Sequence, residues 1–170
     1  TMEELAAQGR EIQPIRSPIT YRTDTRFGTA EQWRSRVEAL CGRPIWHTIP
    51  QVEPIGPRAL LDLLLVAPCT GNTLGKLACG ITDTPVTMAV KAHLRNLRPV
   101  VLAVSTNDGL GASARNIGTL LNCRNFYFVP FAQDDPLHKE ASLVADLSRT
   151  QETLLAALQG RQLQPLLLQK

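Results

Sequence analysis

Short apolar segments alternate along the chain with longer segments that have helical periodicity. Three segments, at 61–67, 99–104 and 126–130, are almost continuously apolar. Strands that have helices packed on both faces show this pattern, whereas half-exposed strands alternate between apolar and polar residues. These three segments are therefore predicted to be buried strands. Shorter strands are predicted at 12–15, 45–49 and 164–168.

The segments between the strands carry helix signals. Thr29 and Gln32 form a capping-box pattern, and Thr84 precedes Pro85 at the first position of another helix. Helices are predicted at 2–8, 29–41, 72–80, 85–96, 112–122 and 150–159; the polar segment 18–28 is predicted to be a loop, and 50–57 a loop or one irregular helical turn. This alternation predicts an α/β fold of three layers, with a parallel sheet between two layers of helices, wound in the Rossmann or flavodoxin manner.

The beginning of the sequence resembles the second half of a strand-helix-strand unit. The helical segment 2–8 ends at Gly9, and the apolar alternation of 12–15 follows at once. In an α/β fold of this kind a strand would precede that helix. We therefore expect one domain over 1–170 that lacks its N-terminal strand.

The composition is that of an ordinary globular protein, with 44% hydrophobic and 19% charged residues. No apolar run approaches the roughly 20 residues that cross a bilayer. The 18 basic and 15 acidic residues are spread along the chain, so the net charge of +3 forms no basic stripe of the kind that binds nucleic acid. Four cysteines form no CxxC pair, which argues against a metal site or a disulfide framework. A cytoplasmic location is expected.

Two polar turns follow the central predicted strands, at the sheet edge where α/β proteins bind their ligands. We call them the Asn72 turn, 68–73 with the sequence PCTGNT, and the Ser105 turn, 105–109 with the sequence STNDG. On pattern alone, each turn is also compatible with an ordinary connection, in which Thr70 caps one helix and Asn107 or Asp108 caps the next. The candidate binding residues are Pro68, Thr70, Gly71, Asn72, Thr73, Ser105, Thr106 and Asn107.

Other chemistry-bearing residues give weaker signals. Asp134 and Asp135 follow a predicted strand, where adjacent carboxylates serve either as an acid and base pair or as part of a turn. The histidines, at 47, 93 and 138, have no spacing typical of a metal site or a catalytic triad, and the tryptophans, at 33 and 46, are interpreted as core or interface residues. These patterns identify no catalytic acid, base or nucleophile.

Several segments, taken in order, resemble a known family. The segment 62–83 reads DLLLVAPCTGNTLGKLACGITD and is similar to the Pro-Ala-Ser-Ala-Asn-Thr block of the flavin-containing cysteine decarboxylase superfamily. More narrowly, the segments 23–28, 98–108, 130–136 and 163–165 read TDTRFG, RPVVLAVSTND, PFAQDDP and LQP, and they resemble the B subunits of dipicolinate synthases. The resemblance extends over essentially the whole chain.

The resemblance implies a flavoprotein-like fold, homo-oligomers and a partner, the A subunit of the synthase, which carries a site for NADP. It implies that the two proteins together oxidise dihydrodipicolinate to dipicolinate in the mother cell of a sporulating bacterium. In flavin-binding relatives the Asn of the first block and the polar residues after the next strand contact the flavin, which suggests Asn72 together with Thr70 and the Ser105 turn. FMN is therefore a candidate cofactor. Two alternatives stay open, a scaffolding subunit of the same complex and a free-standing FMN-dependent enzyme.

The sequence departs from the decarboxylases in two places. Their catalytic His precedes the strand that leads to the Asn-Thr block, and here that stretch, 53–57, reads EPIGP. The departure disfavours cysteine decarboxylation. Their phosphate-binding loop follows the first strand, which we expect to be missing from this sequence.

Overall fold

The central strand of the sheet, β2 (Val100–Thr106), is apolar along most of its length and is buried on both faces. A computed structural model describes residues 2–25 and 28–169. In it β1 (Leu64–Cys69) and β3 (Phe126–Phe128) both pair in parallel with β2, through the same residues Val100 to Leu102, and so occupy its opposite edges. The side chains of 100–104 are at most 1% exposed, and consecutive side chains point to opposite faces. Both faces of the sheet are therefore covered, which confirms the three-layer α/β fold.

The described part of the chain contains eight α-helices: α1 (Met2–Ala7), α2 (Pro18–Arg22), α3 (Ala30–Cys41), α4 (Ile49–Val52), α5 (Gly71–Ala78), α6 (Pro85–Leu94), α7 (Ala112–Leu121) and α8 (Thr150–Leu158). The capping box of Thr29 and Gln32 is formed at the start of α3, and Gly42, with a φ of 62°, ends that helix. Thr84 caps α6 as its sequence predicts. Within the described ranges, no helix has the length and hydropathy of a membrane span.

The sheet is mixed, whereas the sequence pattern predicted a parallel one. Two short strands, β4 (Phe131–Ala132) and β5 (Leu143–Ala145), pair antiparallel with each other, and β5 pairs antiparallel with the end of β2. The prediction was wrong here because two- and three-residue strands leave almost no periodicity in a sequence. Their effect is to extend the sheet beside the carboxyl end of β2.

Three predicted short strands are reduced to isolated bridges. Among the described residues, one bridge joins Ile15 to Trp46 between the segments 12–15 and 45–49, and one joins Leu167 of 164–168 to Phe131. Prolines explain the loss, because each segment contains or adjoins a proline that has no N–H to donate to a ladder. Those prolines are Pro14, Pro50 and Pro165.

One helix, α2, forms where a loop was predicted. Ser17 caps α2 by accepting from the backbone N of Thr20, and Pro18 occupies the first turn. A capping serine followed by a proline is a helix-start signal, and this sequence contains it. The segment 50–57 forms the end of α4 and a 3-10 turn at Glu53–Ile55, in agreement with the predicted irregular helical turn.

The ends of β1 and β2 differ from the prediction in a way that concerns the candidate site. β1 does not end before Pro68 but includes both Pro68 and Cys69, and β2 includes Ser105 and Thr106. Ser105 and Thr106 pair with Val144 and Leu143 of β5. The two polar turns therefore begin later in the chain than predicted, at Thr70 and at Asn107.

Candidate functional site

The Asn72 and Ser105 turns lie side by side at one edge of the sheet. β1 and β2 run in parallel with Cys69 opposite Val104, so the residues that follow these two positions leave the sheet at the same edge. A Cβ atom built on Gly71 would lie 2.6 Å from Thr106 Oγ1 and 3.0 Å from Asp108 Oδ1. The structure thus brings together the two turns that the sequence analysis singled out. If Asn72 and Ser105 lay at opposite ends of the sheet, the predicted crevice would not exist.

Gly71 is the point of closest approach between the two turns. Besides Thr106 and Asp108, its missing Cβ would come within 3.2 Å of Ser113 Oγ at the start of α7. Real Cβ atoms are essentially never found at 2.6 Å from a neighbouring oxygen. Only glycine fits between β1 and the Ser105 turn at this position, so its small size allows the two turns to come into contact.

The Asn72 turn does not have the simple capped structure that was the alternative interpretation. Thr70 is the N-cap residue of α5, but its side chain makes no capping hydrogen bond and instead donates to Thr73 Oγ1 at 3.4 Å. Asn72 is exposed, and within the described residues its side chain has no hydrogen-bond partner. The turn therefore presents an unused amide and the free N–H groups at the start of α5.

The Ser105 turn is organised by Asp108. Thr106 Oγ1 donates to Asp108 Oδ1 at 2.5 Å, and the backbone oxygen of Asp108 accepts from the backbone N atoms of Gly111 and Ser113. Hydrogen bonds from the Thr106 and Ser113 hydroxyls lower the pKa of Asp108, so it is an anion at neutral pH. Asp108 holds the start of α7, as the alternative interpretation proposed. The side chains of Ser105 and Asn107 have no partner in the described part of the chain and are available to a ligand.

Asp108 and Ser113 were not among the predicted site residues. Asp108 follows Thr106 by two positions, a spacing that allows the observed hydrogen bond and was a usable signal. Ser113 carried no signal, because it reaches Gly71 only through the packing of α7 against α5.

Cys69 lies between Pro68 and the Asn72 turn, yet it is not a candidate nucleophile. It is 0% exposed, and burial raises the pKa of its thiol to about 12. A nucleophilic cysteine needs a lowered pKa and access to solvent. Cys69 therefore acts as a small apolar side chain in the core.

The adjacent acids Asp134 and Asp135 form a turn. Asp135 Oδ1 accepts from the backbone N of His138 and lies 2.9 Å from its ring Nδ1, and Asp134 pairs with Lys139 at 3.2 Å. Hydrogen bonding to Ser142 lowers the pKa of Asp134. A general acid would need a raised pKa, so these contacts favour the turn interpretation.

The other two histidines, His93 and His47, make contacts typical of structural residues. His93 is 0% exposed and its Nε2 contacts the carbonyl oxygen of Pro99 at 3.1 Å, as expected for a core histidine. His47 stacks on Tyr21 with 3.8 Å between the ring centroids.

A shallow depression lies elsewhere, beside β5 and the C-terminal segment, with Ala132, Leu147 and Leu168 in its lining. Its acid, Asp146, is held by hydrogen bonds from the backbone N and the hydroxyl of Ser148. Its polar groups, Asp146 and Ser148, already bond each other, and we therefore place the candidate site between the two turns, where unpaired polar groups follow the central strands.

The crevice suits a flat polar ring. Asn72 and Asn107 carry amides, and Ser105 a hydroxyl, that have no partner among the described residues and lie at the same edge of the sheet as the close approach at Gly71. These are the groups that hydrogen-bond the heteroatoms along the edge of a flavin ring, so the residues present fit the ring of FMN.

Comparison with known proteins agrees with this fit. The profile of the flavoprotein family matches residues 9–117. The chain is 44% identical over 168 residues to the B subunit of dipicolinate synthase from Bacillus subtilis, covering 99% of this chain and 84% of that protein.

Two solved structures give the same result at the level of the fold. The crystal structure of the dipicolinate synthase B subunit from Bacillus halodurans superposes with a TM-score of 0.91 at 43% identity, over 99% of this chain and 87% of that one. The FMN-dependent cysteine decarboxylase SpaF superposes with a TM-score of 0.67 at 20% identity, over 94% and 86% of the two chains, which shows a shared fold. The chain therefore belongs to the flavoprotein family and, within it, to the family of dipicolinate synthase B subunits.

Proposed function

We propose that this chain acts as the B subunit of a dipicolinate synthase, which oxidises dihydrodipicolinate to dipicolinate together with its A subunit during sporulation. The similarity to the Bacillus subtilis protein over 99% of the chain supports this proposal. The observation that carries it on the structural side is the crevice at Gly71, where two turns with unused polar groups meet within van der Waals distance.

The reaction removes two hydrogens from a ring that becomes aromatic, one leaving as a hydride and the other as a proton. In this proposal NADP, held by the A subunit, accepts the hydride. The crevice of this chain holds a flat ring, either that of FMN or that of the dicarboxylate itself. When bound, FMN would supply a two-electron carrier between the dihydropyridine ring and NADP.

The residues of this chain bind and orient that ring. Asn72 and Asn107 supply amides that both donate and accept, and Ser105 supplies a hydroxyl. The N–H groups at the start of α5 favour negative charge near Asn72. Gly71 lets the two turns lie against each other, because a side chain there would collide with Thr106 and Asp108.

The test is to reconstitute the complex from separately purified subunits. Dihydrodipicolinate is incubated with NADP and the A subunit, with or without this chain, and dipicolinate is measured. The mixture should work at least 10-fold faster than the isolated A subunit. If the isolated A subunit works equally fast, a role for this chain in the reaction is excluded.

The substitution Asn72→Ala distinguishes a ligand-binding role of this chain from a role as a scaffolding subunit. The variant should lose at least 10-fold in the rate of the complex, while Asn122→Ala, at an exposed position at the end of α7, should keep it. Full activity of Asn72→Ala would indicate the alternative, a scaffolding subunit with an unused crevice. Mass spectrometry of the native protein detects bound FMN directly, and FMN-dependent turnover without the A subunit would indicate the free-standing enzyme.

A further inference from the structure

The contact between the two turns contains a carboxylate that is balanced only by neutral groups. Asp108 is bonded by the hydroxyls of Thr106 and Ser113, and within the described ranges no lysine or arginine pairs with it. The lysine of α5, Lys76, is bonded instead to both carboxylate oxygens of Asp83, each at 2.8 Å. The negative charge of Asp108 therefore stays uncompensated beside the close approach at Gly71.

Asp108 fixes the direction of the hydrogen bond that it makes with Thr106. An ionised carboxylate can only accept, and a hydroxyl has a single proton to donate. Because Thr106 gives this proton to Asp108 at 2.5 Å, only lone pairs are left on its oxygen for any other group. Both residues are partly exposed. The side chains of Thr106 and Asp108 therefore offer acceptors to a ligand and no donor.

The other side of the candidate site has the opposite character. The N–H groups at the start of α5 are donors, and the side-chain amide of Asn72 can donate as well as accept. Gly71, the first residue of α5, is also the residue that comes closest to Thr106 and Asp108. Donors and acceptors thus meet at one place. A ligand that satisfies both sides carries an acceptor and a donor next to each other along one edge.

We propose that Asp108 is a specificity-determining residue, which selects a ring with an N–H group on its edge over a ring whose edge carries only carboxylates. A flavin ring has such an edge, with one N–H between two carbonyl groups. Dipicolinate at neutral pH has two carboxylates and a ring nitrogen, all of them acceptors, and Asp108 also repels its negative charge. The inference rests on the proposed function, which leaves both rings open as ligands, and it assigns the flavin ring to this place.

The experiment titrates the purified chain with two probes, lumiflavin, which is the flavin ring without its phosphate chain, and dipicolinate. Wild type should bind lumiflavin at least 10-fold more tightly than dipicolinate. Asp108→Asn keeps the shape of the side chain, removes its charge and introduces a donor. It should therefore weaken lumiflavin binding and not dipicolinate binding, so that the preference falls by about 10-fold. Asp134→Asn is the matched control, because Asp134 is also held by a serine hydroxyl but lies in another turn.

A purely structural role of Asp108 gives a different result. If Asp108 only held the start of α7, its substitution would lower the melting temperature and weaken both probes by the same factor, and the proposal would be overturned. An unchanged preference in Asp108→Asn would also overturn it. So would wild-type protein that binds dipicolinate as tightly as lumiflavin, or that binds neither probe.

A second comparison needs no variant and so does not depend on the folding of Asp108→Asn. Lumiflavin and 3-methyllumiflavin differ only at the ring nitrogen between the two carbonyl groups, where the methyl group replaces the hydrogen. Wild type should bind the methylated ring at least 10-fold more weakly. Equal binding of the two flavins would show that no N–H group is recognised, and the proposal would fail.

The outcomes separate this inference from the proposed function. If the mixed subunits produce dipicolinate but Asp108→Asn keeps the wild-type preference between the probes, the inference alone fails. If the mixture is no faster than the isolated A subunit, the proposed function fails. The titrations with lumiflavin and dipicolinate still decide in that case whether Asp108 sets the specificity of the site.

Discussion

His93 is a buried histidine whose two ring nitrogens have different surroundings. Nε2 contacts the carbonyl oxygen of Pro99 and so carries the proton, whereas Nδ1 is buried without a partner among the described residues. Burial lowers the pKa of the imidazole below its ordinary value of 6.5. The native protein therefore keeps His93 neutral at a pH where the unfolded chain is already protonated there.

This difference predicts a loss of stability in mild acid. As the pH falls below about 6.5, the unfolded state binds a proton that the native state does not, so the free energy of unfolding decreases, by up to about 1.4 kcal/mol per pH unit, until the pH reaches the native pKa. Above about pH 7, His93 is neutral in both the native and the unfolded state, so its contribution to the free energy of unfolding does not change with pH. His93→Gln keeps a donor for Pro99 and should remove this slope.

Urea unfolding at several pH values between about 5 and 8 measures the effect. His138→Gln is the control, because His138 lies in an exposed turn. A slope that is the same in wild type and His93→Gln would show that other groups cause the acid sensitivity.

The cysteines predict a clear order of chemical modification. Cys79 and Cys123 are exposed, Cys41 is partly buried with a raised pKa, and Cys69 is fully buried with a pKa of about 12. Iodoacetamide at about pH 8 should label Cys79 and Cys123 first and Cys41 more slowly, because the thiolate is the reacting species. Peptide mapping by mass spectrometry should find Cys69 labelled only after unfolding. Rapid labelling of Cys69 in the native protein would contradict its place in the core.

At the scale of elements, the contact between α5 and the end of β2 depends on the size of one residue. Gly71→Ala would place a methyl group 2.6 Å from Thr106 Oγ1 and push the Ser105 turn away from α5. Overpacking of this kind costs about 1–3 kcal/mol of stability. The variant should also lose ligand binding in the crevice, measured by titration with FMN.

Gly118→Ala is a matched control for this change. Gly118 lies inside α7, and a Cβ there would meet no atom within 4 Å. Alanine in an exposed helix interior stabilises by about 0.5–1 kcal/mol relative to glycine. Gly118→Ala should therefore raise the free energy of unfolding, whereas Gly71→Ala should lower it. If Gly71→Ala were as harmless as Gly118→Ala, the two turns would not be in contact as described.

The elements that the sequence predicted well are those with local signals. Thr29 with Gln32 and Thr84 with Pro85 fixed the starts of α3 and α6, because capping depends on neighbours in the chain.

A long-range contact at the edge of β3 is of the kind that local signals cannot predict. Gln162 pairs its side-chain amide with both the N–H and the C=O of Phe128, as a further strand would. Nothing in the pattern around residue 162 predicts this contact, which joins positions 34 apart.

At the scale of the whole molecule, the proximity of the two polar turns was predictable and the geometry of their contact was not. Parallel strands bring the residues after β1 and β2 to one edge, so two polar turns in sequence were enough to predict a shared crevice. The roles of Asp108 and Ser113 depend on how α7 packs against α5, and that packing is not encoded in the spacing of polar residues.

A shared crevice makes a prediction that two separate turns would not. If Asn72 and Asn107 bind the same FMN ring, removal of either amide also disturbs the position of the ring against the other. Each alanine variant should lose about 1–2 kcal/mol of FMN binding free energy, and the double variant should lose less than the sum, with a coupling of about 0.5 kcal/mol or more. Quenching of flavin fluorescence measures the four dissociation constants of the cycle. Strict additivity would mean that the two turns contact different ligands, in which case their proximity at Gly71 would be a matter of packing alone.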